Sequence, residues 1–469
     1  MKHIYLRVIA LSAFIYLTSL NCISAQVGEA LQDELDFKLD SMRNELGVKG
    51  LVATLITPSE ESWKGASGIS SETPLVPISN DMAFGIASIT KTLTASVILR
   101  YAELSLVNLD DSISQYIEPI QNIDTTITIR QLLSHQSGLS DFVYHPSFNQ
   151  QIGSNILMLW DQRNVLETFQ TPPQANPGSP FFYSNSNYML LGLIIESISG
   201  MEYHEVLRNE MLDPNDLDDF RLFPYESISM SNPAHLWLDI TGDQVLDDAS
   251  AIFTNWQSLY SAMAFAGGYY STPTQTAQWI KLLCSGALHD ESIYSEMVST
   301  VSTNLPQNTR YGLGVMEKSF GDYEGLGHGG DISYSSMAYY IPELDVSLAI
   351  HCNDASINSW QLNTTFTELL NTYVDAIQSL GLDETAISQI KVYPNPFMDE
   401  LSIELNLFEN PAEFVLFDLN GKELFRQAIS SSGESNRIEI TTELSSGMYI
   451  YHLYENDRVL KSGKLIKQR

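Results

Sequence analysis

The chain has few basic residues and few cysteines for its length. Its 469 residues include 24 lysines and arginines against 57 aspartates and glutamates, which gives a formal net charge of −33. A surface this acidic argues against nucleic acids and anionic membranes as partners, because both are themselves anionic. Hydrophobic residues make up 44% of the chain and charged residues only 17%. A large core is therefore expected, with room for two domains.

Only three cysteines are present, and the first, Cys22, lies in a stretch that we expect to be removed. Cys284 and Cys352 remain, and no histidine cluster accompanies them in the sequence, so no metal site is expected. An exported protein could join them in a disulfide, but two small buried thiols are the favoured interpretation. Neither a metal nor another cofactor is expected.

Long hydrophobic runs are also scarce, and the one near the start is short. Lys2 and Arg7 precede the apolar run Val8–Leu20, whose 13 residues are too few to span a bilayer comfortably. Small residues then precede Gln26, which is the pattern of a secretory signal peptide over residues 1–25. The mature chain is expected to be exported and to contain no transmembrane helix.

The spacing of apolar residues predicts an α+β domain over residues 26–380. It indicates helices over 27–46, 186–199 and 274–284, strands over 50–56 and 63–69, and further strands between 310 and 353. A short helix capped by Gly138 is expected within 127–139, and long loops over 140–182. Because strands occupy both ends of this domain, we expect them to meet in one antiparallel sheet.

The pattern changes after about residue 380. A linker is expected over 381–390, followed by alternating strands, with Asn420-Gly421 as a two-residue hairpin turn. This pattern predicts a small all-β immunoglobulin-like sandwich over residues 391–469.

Ser88 lies where a short apolar run turns into a helix, and Lys91 follows it by three residues. That spacing places the amine one turn along on the same side, where it can hold and move the hydroxyl proton if its pKa is lowered. The S-x-x-K spacing is weak evidence alone, since Ser388–Lys391 repeats it near the linker. Without partners, a helix-capping serine is the favoured interpretation of Ser88.

Two further motifs supply such partners. Tyr183 and Asn185 form a Y-x-N motif, in which a tyrosine of lowered pKa could accept the serine proton and an asparagine could bind an amide. His328-Gly329-Gly330-Asp331 precedes an expected strand, whose edge could offer an N–H group to an oxyanion. Taken separately, the second motif is better explained as a tight turn with a surface histidine.

Together these residues resemble the serine β-lactamase and penicillin-binding-protein superfamily, specifically its class C-like branch. That branch carries S-x-x-K, then Y-x-N, then K-T-G or H-x-G, in the order found here. The resemblance spans nearly all of residues 30–355, including Ile127–Leu139 and Gly178–Gly192. It implies a β-lactamase/transpeptidase-like fold, in which helices flank an antiparallel sheet and a second subdomain is all-helical.

The resemblance also implies acyl transfer without a cofactor. Ser88 would attack a carbonyl, Lys91 and Tyr183 would relay the proton, and backbone N–H groups of Ser88 and Asp331 would bind the oxyanion. Asn185 would orient the substrate, and His328, with Gly329 and Gly330 beside it, would stand where many relatives place a lysine. His135 is expected to be structural.

His328 helps to predict the class of substrate, which is expected to be a small molecule, a peptide or an ester. In the family, H-x-G is common among D-amino-acid peptidases and esterase-like members, whereas β-lactamases usually carry K-T-G. A D-amino-acid peptidase or esterase is therefore favoured over antibiotic hydrolysis. A true β-lactamase and a catalytically silent cell-surface binding protein are the alternatives. A charged His328 could also bind an anionic substrate, and activity would then fall as pH rises past its pKa.

Residues 391–469 resemble the C-terminal sorting domain of type IX secretion. The supporting segments are Tyr393–Pro396, Asp418–Gly421, Gly447–Tyr449 and the basic end Gly463–Lys467. The alternative is a carbohydrate-binding or adhesion sandwich. The resemblance implies the type IX secretion machinery as a partner and passage through the periplasm to the cell surface or medium.

Overall fold

The structure is a computed structural model. It describes residues 28, 30–227, 233–250, 256–379 and, in the C-terminal region, 391–393, 397, 400–404, 412–417, 422–429, 436–440, 444–445, 447–455 and 458–467. The expected signal peptide over 1–25 and the expected linker over 381–390 lie outside these residues, as does Ser388 of the second S-x-x-K spacing.

A large antiparallel sheet forms the centre of the first domain. Among the described residues its strands pair in the order β3-β2-β1-β14-β13-β12-β11-β10-β9. They are β1 (Gly50–Ile56), β2 (Ser62–Glu72), β3 (Leu75–Pro77), β9 (Val301–Ser302), β10 (Arg310–Tyr311), β11 (Met316–Phe320), β12 (Tyr323–Ile332), β13 (Tyr334–Ile341) and β14 (Val346–Cys352). The expected meeting of the two ends of the domain is confirmed, since Leu51 of β1 lies opposite Cys352 of β14.

Helices cover the sheet and build a second layer of the domain. They are α1 (30–46), α2 (Thr90–Glu103), α3 (Ile129–Leu133), α4 (Phe148–Ser154), α5 (Gln162–Phe169), α6 (Asn185–Ser199), α7 (Tyr203–Leu207), α8 (Gln257–Ala262), α9 (Ala264–Gly267), α10 (Pro273–Cys284), α11 (Glu291–Met297) and α12 (Asn363–Ser379). None of the helices in the described part of the chain is both long and apolar enough to cross a bilayer.

Strand β14 shows why the sheet is buried on both faces. Its successive side chains point to opposite sides. Leu348 belongs to the same apolar cluster as Phe366 of α12, whereas Ala349 belongs to the cluster that contains Ile280 of α10. Because both faces are covered by helices, the strand is apolar almost without interruption, and Ser347 donates its hydroxyl to a backbone oxygen of α10.

Short elements complete the first domain. A small sheet has the order β4-β8-β5, formed by β4 (Phe84–Gly85), β5 (Arg221–Leu222) and β8 (Tyr269–Ser271), and β6 (Trp237–Leu238) pairs with β7 (Asp247–Asp248). Single helical turns lie at Ala87–Ile89, Ile113–Gln115, Phe142–Tyr144, Arg208–Leu212 and Asp213–Asn215. Strand β4 leads directly into the turn Ala87–Ile89 and α2.

Two of the expected helix ends can be compared with the structure. Helix α6 ends at Gly200 with φ +67°, a left-handed conformation that glycine adopts without strain, as its sequence predicts. The prediction for Gly138 is wrong, because α3 already ends at Leu133 with Ser134 as its C-cap. The expectation of loops over 140–182 is also wrong in part, since α4, α5 and one helical turn form there.

The C-terminal strands form two sheets that share one apolar core, as the expected sandwich requires. The first sheet is β15 (Lys391–Tyr393), β16 (Glu400–Glu404) and β19 (Asn436–Glu439), and the second has the order β18-β17-β20-β21. Its strands are β17 (Ala412–Phe417), β18 (Glu423–Ile429), β20 (Gly447–Glu455) and β21 (Arg458–Lys467). Leu401 of the first sheet and Phe414 of the second belong to the same buried cluster. The expected turn at Asn420-Gly421 lies outside the described residues.

Candidate active site

Ser88 lies in the helical turn Ala87–Ile89, directly before α2. Strand β4 brings the chain to this point, and Ala87 adopts φ +44°, an unfavourable conformation for a residue with a side chain. A residue in that region costs on the order of 1–3 kcal/mol, which the surrounding packing must offset. The turn directs Ser88 into a cleft of about 380 Å³.

Lys91 is fully buried and makes three hydrogen bonds from its amine. Nζ donates to Ser88 Oγ at 2.9 Å, to Asn185 Oδ1 at 2.8 Å and to the backbone oxygen of Ala266 at 2.8 Å. Burial lowers the pKa of Lys91 from its usual 10.5 to about 7, while Asp141 acts in the opposite direction. A substantial fraction of this amine is therefore neutral at neutral pH.

Asn185 connects Lys91 to Asp141. Its Nδ2 donates to Asp141 Oδ2 at 2.8 Å, which orients the amide so that its oxygen faces Lys91. Burial raises the pKa of Asp141, although the N–H groups around it and Lys91 favour its charged form. None of the motifs in the sequence singles out Asp141. A signal was present, because it is the one acidic residue between Asp124 and Asp161.

Tyr183 lies against Lys91 and His135. Nζ of Lys91 is 5.0 Å from the centre of the Tyr183 ring, and the His135 ring lies 4.3 Å from it on a tilted plane. Burial raises the pKa of Tyr183 well above 10, and the hydrogen bond with Ser88 offsets this only in part. The expectation of a lowered tyrosine pKa is therefore wrong, and the phenol is neutral.

His135 supports the elements around this tyrosine. Its Nδ1 accepts hydrogen bonds from Ser184 N at 3.2 Å and Asn187 Nδ2 at 2.8 Å, and the ring is buried. It thus joins the end of α3 to the start of α6, in agreement with a structural role.

The H-x-G motif lies within β12 and not before a strand, which corrects the sequence prediction. His328 donates from Nδ1 to the Gly329 carbonyl, and its Nε2 accepts from Tyr311 Oη at 3.1 Å. Burial and the charge of Lys91 lower the pKa of His328 to about 3. The ring is therefore neutral at physiological pH and cannot supply the positive charge considered above.

Two glycines let β12 approach its neighbours. A Cβ atom at Gly330 would lie 2.2 Å from the Ile86 oxygen and 2.9 Å from the Ser88 nitrogen, so only glycine fits beside the start of the turn Ala87–Ile89. A Cβ atom at Gly329 would lie 2.8 Å from Ser359 Oγ. The backbone of Ser88 and that of Gly330 to Asp331 are thereby held next to each other at one wall of the cleft.

The cleft brings together every site residue expected from the sequence except Lys91, which lies buried behind Ser88. Its lining includes Ser88, Tyr183, Asn185, His328, Gly329, Gly330 and Asp331. It also contains Asp141, Lys318, Ser359 and Trp360, which the sequence analysis did not single out. For Lys318, the alternation of Met316 and Phe320 around it was a usable signal, since it places a lysine on an apolar face.

Among the described residues no cluster of three or more His, Cys, Asp or Glu side chains is placed to ligate a metal ion. Cys284 and Cys352 are both free and buried, as favoured from the sequence.

A serine hydrogen-bonded to a buried lysine, beside a tyrosine and a glycine-bearing strand, defines a serine hydrolase of the β-lactamase and penicillin-binding-protein class. Comparison with known families agrees, because the Beta-lactamase family model matches residues 33–370. The chain belongs to this family. Residues 391–468 match the model of the secretion system C-terminal sorting domain, which supports secretion or a place at the cell surface.

Curated relatives resemble one part of the chain. "Penicillin-binding protein 4*" of Bacillus subtilis is 28% identical over 149 residues, which is 31% of this chain and 32% of the relative. "Protein flp" of Staphylococcus aureus is 34% identical over 136 residues, 28% of this chain and 26% of the relative. The chain thus matches about a third or less of the length of these relatives.

Solved structures resemble the first domain as a whole. A D-stereospecific amidohydrolase from Streptomyces sp. is 25% identical with a TM-score of 0.62, covering 72% of this chain and 97% of the other. The D-amino acid amidase from Ochrobactrum anthropi SV3, complexed with D-phenylalanine, is 25% identical with a TM-score of 0.65. The match covers 74% of this chain and 99% of the amidase. A penicillin-binding protein homologue from Pyrococcus abyssi, at 18% identity and a TM-score of 0.61, shares the fold. The match covers 93% of this chain and 98% of the homologue.

Proposed function

We propose that the protein is a secreted amidohydrolase that cleaves amide bonds of D-amino-acid substrates through an acyl-enzyme on Ser88. The observation that carries the proposal is the buried contact of Lys91 Nζ with Ser88 Oγ at 2.9 Å, in which the amine has a pKa of about 7. A neutral amine at that distance is a general base for the hydroxyl. The preference for D-amino acids is suggested by the two amidohydrolases at 25% identity.

In the first step the Ser88 oxygen attacks the amide carbonyl carbon while its proton passes to Lys91 Nζ. The carbonyl oxygen becomes an oxyanion, which accepts hydrogen bonds from the backbone N–H groups of Ser88 and Asp331. The position of Gly330 against the Ser88 nitrogen supports this pairing. Asn185, held by Asp141, orients both the amine and the substrate amide.

In the second step the carbon–nitrogen bond breaks and the leaving amine takes a proton. Tyr183 is suited to deliver it, because its raised pKa keeps the phenol protonated, and the proton held on Lys91 Nζ, 5.0 Å from the Tyr183 ring centre, then restores the phenol. Water then attacks the acyl ester, giving its proton to Lys91, and Ser88 recovers a proton as the acid leaves. Lys91 and Tyr183 thus act as one relay.

The test uses D-phenylalanine amide and L-phenylalanine amide with the full exported chain and with Ser88→Ala. We expect ammonia release from the D-amide, a much slower reaction with the L-amide, and neither with Ser88→Ala. Intact-mass spectrometry after mixing with a p-nitrophenyl ester should show an acyl adduct in the wild type alone. If no amide, ester or chromogenic cephalosporin yields turnover or an adduct, the alternative of a catalytically silent binding protein is favoured.

We also propose that residues 391–469 direct export by the type IX secretion machinery, after a signal peptide over 1–25 and passage through the periplasm. The family match over 391–468 supports this role. In a host with that machinery, the full chain should reach the medium or cell surface, and a chain truncated after residue 380 should remain in the periplasm. Equal export of both forms would contradict the role of the C-terminal domain.

A further inference from the structure

Lys318 is a buried cation that the mechanism above does not use. It lies on β11 between Met316 and Phe320, and these three side chains share the inward face of the strand. Only 2% of the residue is exposed, yet it lines the same cleft as Ser88. The active-site cleft therefore has a positive charge in its wall.

The ammonium group of Lys318 has no hydrogen-bond acceptor among the described residues. Its Nζ lies 4.6 Å from the Trp360 ring centre and 5.6 Å from that of Phe320, which offers only cation–π attraction. A buried charged group without a hydrogen-bond partner is costly, so such groups are rare unless a ligand completes them.

Asp331 is the charged group that acts electrostatically on Lys318, but it does not accept a hydrogen bond from the ammonium group. The two residues exert a mutual electrostatic effect, but they form no ion pair within 4.0 Å. The Asp331 carboxylate instead accepts two hydrogen bonds from Ser359, one from the backbone N–H and one from the hydroxyl, each at 2.6 Å.

The other carboxylate of the cleft and its histidine already have hydrogen-bond partners. Asp141 accepts from Asn185 and from the backbone N–H of Val143, and His328 contacts Tyr311 and the Gly329 carbonyl. The charged group left without a hydrogen-bond partner is thus a cation, and an anion with acceptor oxygens matches both its charge and its donors.

We propose that Lys318 binds a free carboxylate of the substrate, so that the enzyme prefers D-amino-acid substrates that carry such a carboxylate. The proposal rests on the amidohydrolase function above and assigns to β11 the substrate-binding cation that His328 does not provide. Charge-assisted hydrogen bonds of this kind change affinity by about ten- to a hundredfold.

The test compares substrates that differ only in a carboxylate or a carboxamide. One pair is D-phenylalanyl-D-alanine and its C-terminal amide, which probes the leaving side by release of D-alanine or D-alaninamide. The other pair is D-glutamic acid α-amide and D-glutamine α-amide, which probes the acyl side. Products are quantified by mass spectrometry, and the result is the ratio of kcat/KM within each pair.

In at least one pair we expect the wild type to favour the carboxylate by about tenfold or more. Lys318→Met should bring that ratio close to one, while Lys318→Arg should retain a preference. Lys64→Met removes the same charge from an exposed position on β2 and should keep the wild-type ratio. If Lys318→Met does not fold, Lys318→Gln replaces it.

Other outcomes overturn the proposal. Ratios within about twofold of one in both wild-type pairs would show that no carboxylate is recognised. An unchanged ratio in Lys318→Met, with both substrates slowed equally, would mean that Lys318 only balances the charge of Asp331. In either case the turnover itself still supports the amidohydrolase. Absence of turnover on all four substrates, with no acyl adduct from the ester, overturns both proposals.

Discussion

The protonation of Lys91 predicts how acylation depends on pH. At its usual pKa of 10.5, about one lysine in 3,000 would be neutral at pH 7, whereas at a pKa of about 7 half are neutral. Burial thus enlarges the reactive fraction by about a thousandfold at neutral pH. Because the neutral amine is the base in the proposed mechanism, activity should fall as pH drops through about 7 and level off above it.

This pH limb distinguishes Lys91 from His328 and Tyr183. The pKa of His328 is lowered to about 3 and that of Tyr183 is raised well above 10, so neither titrates near neutrality. Asp141 raises the pKa of Lys91 because a carboxylate stabilises the ammonium form. Removing that charge with Asp141→Asn should therefore move the midpoint to lower pH.

The assay is kcat/KM for a neutral p-nitrophenyl ester over pH 5 to 9, for the wild type and Asp141→Asn. Glu196→Gln is a matched control, because burial raises the pKa of Glu196 to about 7 but this residue does not line the cleft. Its profile should keep the wild-type midpoint. A flat wild-type profile, or a midpoint that rises in Asp141→Asn, would refute the assignment of Lys91 as the base.

Three further predictions follow from the same geometry. Gly330→Ala should lower acylation by at least about tenfold, because its Cβ atom would lie 2.2 Å from the backbone oxygen of Ile86. Gly153→Ala is the control: its Cβ atom would have no neighbour within 4 Å, so this variant should retain activity. His328 is already neutral, so activity should not decline as pH rises from 6 to 8; a decline absent from His328→Gln would contradict this. The native protein carries Cys284 and Cys352 as free thiols, so iodoacetamide under denaturing, non-reducing conditions should add two labels to the mature enzyme.

Local sequence patterns were sufficient for the strands and for the order of the motifs. The strand Gly50–Ile56 and the end of α6 at Gly200 agree with their predictions, because a short apolar run and a glycine stop signal each act over a few residues. Gly138 was a weaker guide, since the chain after α3 is shaped by contacts with the segment around Ala175 and not by a helix end.

The ionisation states of the site residues could not be predicted from the sequence. Lys91, Tyr183 and His328 were each expected near the substrate, but their pKa values depend on burial by elements far away in the chain. That burial lowers the pKa of the lysine and keeps the tyrosine neutral. It also removes the charge that the histidine was considered to provide.

The sequence by itself determined the turn from β4 into α2, with Ser88 and Lys91 one helical turn apart, because that geometry is local. Tertiary structure alone decided that Asp141 holds Asn185, and that Lys318 enters the cleft wall without an acceptor. The physical reason is that the hydrogen-bond partners of a side chain, and the water it loses on burial, depend on several segments that pack together. A single segment of the sequence cannot show either of them.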